Sequence, residues 1–83
     1  MPVTAWVLIQ TGVGKARAVA DAIAAIEYPG VQVLAADTVT GPHDVISHFR
    51  ASDLDTFNQA LDATILHMPD VEHTVTCMAF NPG

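Results

Sequence analysis

The segment TVTGPHDVI, residues 38–46, places two ionisable side chains in what is otherwise the composition of a tight turn. Gly41 accepts backbone conformations that other residues avoid, and Pro42 fixes its own φ and lacks an amide hydrogen. We therefore expect the amides of Gly41, His43 and Asp44 to point away from the flanking strands. Amide donors beside a carboxylate match a zwitterion, since the amides meet an α-carboxylate and Asp44 meets an α-ammonium. Composition alone favours the alternative, a simple turn capped by its own aspartate.

Length and composition limit the kind of protein that carries this segment. The 83 residues make one domain, 1–83, and a chain this short buries only about 60–65% of the surface that its unfolded form exposes. Cys77 is the only cysteine, so no disulfide within the chain adds stability. Because 51% of the residues are hydrophobic and only 14% are charged, we expect a homo-oligomer that covers apolar surface.

The net charge of −6 argues against nucleic acid as a direct partner. Lys15, Arg17 and Arg50 are the only permanent cations, too few for a phosphate-binding stripe or for an acidic membrane surface. The apolar run at residues 5–9 is too short to span a bilayer and lacks the basic lead-in of a signal peptide. We therefore expect a cytoplasmic protein that binds neither nucleic acid nor membrane.

Hydrophobic periodicity predicts four strands and two helices in the order β-α-β-β-α-β. Residues 5–11, 31–40, 44–50 and 71–80 have strand-like composition, whereas the segments that begin at Lys15 and near Leu54 repeat apolar side chains at helical spacing. Ser52, followed three residues later by Asp55, approximates a capping box for the second helix, whose apolar face includes residues 54, 57, 61 and 65. This order predicts a ferredoxin-like α+β fold, a four-stranded antiparallel sheet with both helices on one face.

The predicted strands are apolar on both sides, although two helices cover only one face of a sheet. Alternation places Trp6 opposite Val7 in the first strand and Met78 opposite Cys77 in the fourth. A half-exposed sheet normally alternates apolar with polar residues. We therefore expect a second subunit on the other face, forming a dimeric α/β barrel.

The chain resembles the effector-binding domain of the Lrp/AsnC family, also called the RAM domain, over nearly all of its length. The resemblance rests on residues 13–15, 29–31, 39–46, 68–71 and 74–76. Its most specific part is Thr-Gly-x-x-Asp between strands two and three combined with Pro-x-Val before strand four. It implies a ferredoxin-like fold, dimers joined through their sheets, often rings of dimers, and amino-acid effectors held between dimers by the Gly-x-x-Asp loop.

The same resemblance assigns candidate ligand-binding residues. It places Gly41 and Asp44 on the effector loop and makes Thr76 the strand-four threonine. Position 43, commonly aromatic in the family, is His43 here, which bears on the ligand side chain that is accepted. The candidates are Thr40, Gly41, His43, Asp44, Thr74 and Thr76. Family regulators carry an N-terminal helix-turn-helix domain, whereas this chain starts at the first strand, so we expect a stand-alone form that acts with a partner such as a full-length Lrp/AsnC-type regulator.

The four histidines offer no metal site that can be recognised from spacing. His43 and His48 are expected near opposite ends and on opposite faces of strand three, and His67 and His73 have no cysteine or carboxylate at a recognised spacing. We expect no metal and no cofactor, with these histidines at the surface or in an interface.

Two other functions remain open beside an amino-acid-binding regulatory module that modulates transcription or metabolism. One is a small enzyme of the dimeric α/β-barrel type, monooxygenase- or isomerase-like, with its active site between sheet and helices. His48 beside Trp6 could act as a base there, but no nucleophile–base pair or carboxylate pair is evident from spacing, so we name no catalytic residue and expect no enzyme. The other is a purely structural oligomerisation module.

Overall fold

The secondary structure follows the predicted order, β-α-β-β-α-β. The computed structural model describes residues 2–79. Its elements are β1 (Val3–Thr11), α1 (Ala16–Ala24), β2 (Val31–Thr38), β3 (Val45–Ala51), α2 (Leu54–Ala63), a short 3₁₀ helix (Ile65–His67) and β4 (Val71–Ala79). The predicted fourth strand ended at Phe80, which lies outside the described residues.

The four strands form one antiparallel sheet in the order β2-β3-β1-β4. The predicted ferredoxin-like α+β fold is therefore confirmed. β1 occupies a central position and pairs with β3 on one side and β4 on the other, while β2 and β4 form the edges. A register shift between Val33 and Ala35 marks a bulge in the β2 edge.

One face of the sheet packs against the helices and forms the core. In β1 the odd-numbered side chains are buried, from Val3 to Ile9, because the strand alternates its side chains between two faces. Ser47 of β3 is fully buried among them, and its hydroxyl donates to the Val7 carbonyl at 3.0 Å. Phe49 of β3 meets Phe57 of α2 edge-to-face, with ring centroids 5.7 Å apart, a geometry worth about 0.5–1.5 kcal/mol beyond area burial.

The opposite face of the sheet carries apolar side chains that neither α1 nor α2 covers. We call it the open face and define it by Trp6, Leu8, Ile46, His48, Val75 and Cys77, which the strand register places on one side. Trp6 is 37% exposed and Val75 is 48% exposed. The Trp6 and His48 rings stack at 4.2 Å with an interplanar angle of 9°. Met78, in contrast, pairs with Ala5 and packs against the core on the helix side.

The second helix begins and ends differently from its prediction. Asp53, not Ser52, is the N-cap, and its carboxylate accepts a hydrogen bond from the Thr56 amide at 2.7 Å. That hydrogen bond lowers the pKa of Asp53 below its ordinary value. The α-helix stops at Ala63, and the 3₁₀ helix after it keeps Ile65 buried. Leu54, predicted to lie in the core, is 39% exposed because it occupies the first turn at the helix end.

Within residues 2–79, no helix is both long enough and apolar enough to span a membrane.

Candidate functional site

The loop between β2 and β3, residues 39–44, is fastened to the end of β1. The Asp44 amide donates to the Ile9 carbonyl at 2.9 Å, and the Thr11 amide donates to Oδ2 of Asp44 at 2.8 Å. Gln10 Nε2 donates to the Pro42 carbonyl at 3.0 Å. The loop is therefore bonded to β1 both at its last residue, Asp44, and at Pro42 in its middle, so β1 fixes its position.

These contacts correct two expectations about Asp44. Its amide was expected to point outward with those of Gly41 and His43, but it is used in the hydrogen bond to Ile9. Its carboxylate does not cap its own turn either, since it accepts from Thr11, 33 positions away in the sequence. Thr11 and Gln10 were not among the sequence candidates, because no local pattern indicates a contact over that separation.

The centre of the loop keeps free hydrogen-bonding groups next to the Asp44 carboxylate. Among the described residues, the amides of Thr40, Gly41 and His43 donate to no partner, and Oδ1 of Asp44 accepts from none. Thr40 and Gly41 are exposed, whereas His43 and Asp44 are half-buried. Gly41 has φ +155°, and a Cβ there would meet no atom of the described residues within 4 Å. Glycine is therefore required by the backbone conformation and not by lack of space.

The two threonine candidates of β4 lie on the far side of β1 from the loop. Thr74 pairs with Ile9 and Thr76 pairs with Val7, whereas Asp44 reaches Ile9 from the other side of the strand. Adjacent strands are about 4.8 Å apart, so Asp44 and Thr74 are separated by roughly 10 Å. The six candidates thus form two groups in one chain: Thr40, Gly41, His43 and Asp44 together, and Thr74 with Thr76.

The histidines occupy four separate places. His43 lies in the loop that precedes β3, as expected, whereas His48, expected near the other end of the strand, lies in the middle of β3 on the open face. His48 Nε2 is buried without a hydrogen-bond partner among the described residues. His67 ends the 3₁₀ helix and His73 lies in β4, both exposed. Within residues 2–79, no three His, Cys, Asp or Glu side chains are grouped closely enough to hold a metal ion.

Two short proteins of known structure are similar to this chain over almost their whole length. A protein from Thermus thermophilus is 33% identical, with a TM-score of 0.85, and the match covers 98% of this chain and 96% of that one. A hypothetical protein from Pyrococcus horikoshii is 32% identical, with a TM-score of 0.83, and the match covers 95% of this chain and 90% of that one. No curated protein matches the chain.

Longer transcriptional regulators share the fold. A regulator from Neisseria meningitidis, solved as a complex with L-Met, is 18% identical with a TM-score of 0.72, and the match covers 96% of this chain. This chain spans 51% of that regulator's length. The family model of the Lrp/AsnC ligand binding domain matches residues 4–82. The match over nearly the whole sequence shows that the chain belongs to the Lrp/AsnC ligand-binding domain family.

Proposed function

We propose that this chain is a regulatory module that binds an amino acid through the loop of residues 39–44. The observation that carries the proposal is the set of free amides of Thr40, Gly41 and His43 beside a carboxylate that β1 holds in place. Such a loop offers donors for an α-carboxylate and an acceptor for an α-ammonium within a few residues of each other. The family to which the chain belongs is a ligand-binding one, which supports this assignment.

The hydrogen bond from Thr11 prepares Asp44 for this role. It occupies Oδ2 and fixes the orientation of the carboxylate, which leaves Oδ1 for the ligand's ammonium group. Neither lysine nor arginine occurs in residues 38–46 to compete for that carboxylate. A hydrogen bond between charged groups contributes about 1.5–3 kcal/mol, and an acceptor that is already oriented loses less entropy when the ligand binds.

Thr74 and Thr76 enter this proposal as residues contributed by another subunit. The distance of roughly 10 Å from Asp44 across β1 is longer than the carboxylate–ammonium end of an amino acid can bridge. The family resemblance implies effectors held between dimers, and Thr76 is exposed on an edge strand where another copy can approach it. The neisserial complex with L-Met supports an amino acid as the class of ligand.

The open face supports assembly with a second copy of the chain. Its apolar centre, around Trp6 and Leu8, has Arg50 of β3 at one end and Asp37 of β2 towards the other. A twofold-related copy would bring Arg50 of each subunit near Asp37 of its mate around an apolar centre, the usual arrangement of core and rim. An ordinary interface of about 800 Å² per partner is of the size that one sheet face supplies. The same face suits a full-length Lrp/AsnC-type regulator as the partner, which would link ligand binding to transcription.

The position of His48 supports regulation over catalysis. The alternative function, a small enzyme of the dimeric α/β-barrel type, would have its active site between the sheet and the helices. His48 and its stacked neighbour Trp6 lie on the face that the helices do not cover. A base at His48 would therefore open towards the neighbouring subunit and not into a pocket beneath the helices.

A thermal-shift screen against the twenty amino acids, with the mass in solution measured in parallel, tests the proposal. An amino acid present at 100 times its Kd stabilises the folded state by about 2.7 kcal/mol, which raises the Tm of a domain this size by about 10 °C or more. We expect one amino acid, or a few related ones, to do so on a dimer or larger assembly. No response to any amino acid, together with turnover of another compound, would replace this proposal with the enzyme.

A further inference from the structure

We propose that His48 makes assembly through the open face depend on pH, so that copies of the chain associate when its imidazole is neutral and separate when it is protonated. Such control rests on the open-face assembly of the proposed function. It uses neither the loop of residues 39–44 nor a bound amino acid, so it does not depend on the proposed ligand site.

His48 lies at the centre of the open face. The strand register places it between Ala35 of β2 and Trp6 of β1, and Cys77 of β4 follows on the other side of Trp6. Its ring stacks on the Trp6 indole at 4.2 Å, with an interplanar angle of 9°, and this contact fixes the orientation of the imidazole. A copy that covers the apolar centre of this face therefore covers His48 as well.

One nitrogen of His48 has no hydrogen-bond partner and cannot gain one from a second copy. Nε2 is buried within the chain and unpaired among the described residues, so a neighbouring copy cannot reach it unless the ring moves. A neutral imidazole can leave that nitrogen without a proton, whereas an imidazolium carries an N–H donor on both nitrogens. Protonation therefore places a charged donor where no acceptor is available, which costs more than leaving a neutral group unpaired.

Assembly makes the imidazolium less favourable still. His48 is only half-buried in the single chain, so part of its ring meets water, and the face of the Trp6 indole attracts a cation that stacks on it. A second copy over the open face removes that water, and a charge buried without a partner is costly. The assembly therefore favours the neutral ring more strongly than the free chain does, and by linkage the binding of a proton opposes association.

The other ionisable groups of the open face do not provide His48 with a counter-charge. Arg50 lies two residues further along β3 on the same face, where it disfavours a second cation. Asp37 of β2 lies diagonally across from His48, and in the proposed dimer it approaches Arg50 of the other copy. β1 has no ionisable side chain. On β4, the thiol of Cys77 and the imidazole of His73 lie on the far side of β1.

The direction of the effect distinguishes this control from general electrostatics. The chain has a net charge of −6 with its four histidines neutral, and protonation of the histidines brings that charge closer to zero. Repulsion between copies would then fall, so acid would strengthen association. Control by His48 predicts the opposite, namely weaker association as the pH falls through the range in which histidine changes charge, about pH 8 to 5.

The fluorescence of Trp6 reports the charge of His48. Trp6 is the only tryptophan, and an imidazolium in contact with an indole quenches its emission. We expect the emission to fall as the pH is lowered from about 8 to about 5. The midpoint should move to lower pH as the protein concentration rises, because assembly favours the neutral ring. Emission that does not titrate, or a midpoint that is independent of concentration while sedimentation shows both free and assembled chains, would overturn the inference.

Sedimentation over the same pH range measures the assembly itself. Two copies each lose one proton on association, so the Kd of the pair should rise by up to about 100-fold per unit of pH below the titration. His48→Gln and His48→Phe cannot be protonated, and the second keeps an aromatic ring against Trp6. In these variants the Kd should change by less than about threefold between about pH 7.5 and about pH 5.5. His67→Gln, at an exposed position, is the matched control and should keep the pH dependence of the wild type.

The two proposals fail in different ways. A wild type that is monomeric at every pH would refute the open-face assembly, and this inference with it. An assembly whose Kd does not rise in acid would overturn the inference and leave the open-face assembly standing. Variants of His48 that assemble and keep the wild-type pH dependence would do the same.

Discussion

Replacing Asp44 separates its structural role from its proposed role in binding. The carboxylate accepts a charge-assisted hydrogen bond from the Thr11 amide at 2.8 Å, and bonds of this kind contribute about 1.5–3 kcal/mol. Asp44→Ala removes the acceptor and leaves a half-buried amide unpaired. Because Asp44 is itself only half-buried, we expect the lower part of that range, about 1.5 kcal/mol, and a fall in Tm of about 6–12 °C.

Asp44→Asn retains an oxygen that can accept from Thr11 but removes the negative charge. The difference between a charge-assisted and a neutral hydrogen bond is about 1 kcal/mol, so we expect a smaller fall in Tm, about 4–8 °C. The same substitution should weaken ligand binding more than it weakens the fold, since the ligand's ammonium group loses its counter-charge. The loss of about 1.5–3 kcal/mol in binding corresponds to roughly 10- to 150-fold in Kd.

Calorimetric titration with the amino acid that gives the largest thermal shift measures this effect. Wild type, Asp44→Asn and Asp62→Asn are compared below their melting temperatures. Asp62 is an exposed residue of α2, and its substitution makes the same chemical change away from the loop. Equal affinity in wild type and Asp44→Asn would refute the proposal that Asp44 binds an ammonium group, and an unchanged Tm in Asp44→Ala would refute the stabilising role of the Thr11 hydrogen bond.

Three further predictions concern assembly, the loop and pH. Trp6→Lys should convert the assembly to smaller species, because it buries a charge in the open face. Met78→Ala should instead lower the free energy of unfolding by about 2 kcal/mol without changing the mass in solution, because Met78 faces the core. Sedimentation and denaturant unfolding distinguish the two variants, and the reverse pattern would contradict the assignment of the faces. Gly41→Ala should destabilise the chain by about 1 kcal/mol or more, because Gly41 has φ +155°. Gly12→Ala is the control that should be tolerated, since its Cβ would make ordinary contacts of 3.6 and 3.8 Å. Equal melting temperatures of the two variants would contradict this reasoning. Hydrogen bonding to the amide of Thr56 holds the pKa of the Asp53 carboxylate below 3.8. The carboxylate should therefore stabilise the fold above about pH 3.8, and that stability should be lost as the pH falls through its lower folded-state pKa. The difference in Tm between wild type and Asp53→Ala should shrink at low pH, and a constant difference would argue against the capping role.

Much of the fold could be predicted because the spacing of apolar side chains along the sequence distinguishes strands from helices. In β1, Trp6 and Val7 belong to opposite faces of any strand, and the structure buries Val7 while Trp6 lies on the open face. That a second subunit covers the open face stays a prediction. The helical spacing that includes Val19 and Ile23 likewise predicts α1, and both side chains are buried. A β-α-β-β-α-β order then leaves few arrangements of the sheet.

The parts of the structure that could not be predicted depend on contacts between residues far apart in the sequence, or on a choice between two neighbouring residues that suit the same role. The hydrogen bond between Thr11 and Asp44 spans 33 positions, and nothing in residues 38–46 indicates it. Ser52 and Asp53 are both good N-caps, and only the extended backbone of Asp53, at φ −159° and ψ 173°, shows which one serves. The separation of Thr76 from the loop follows from strand order, which places β1 between them.

The most direct measurement of the central claim is the mapping of backbone amide chemical shifts while an amino acid is added to the ¹⁵N-labelled protein. The amides of Thr40, Gly41 and His43 have no partner among the described residues, so hydrogen bonding to an α-carboxylate should move their resonances more than those of any other segment. The Asp44 amide, already bonded to Ile9, should move less than these three. Binding that shifts amides elsewhere and leaves residues 40–43 unchanged would contradict the proposal that this loop is the amino-acid site.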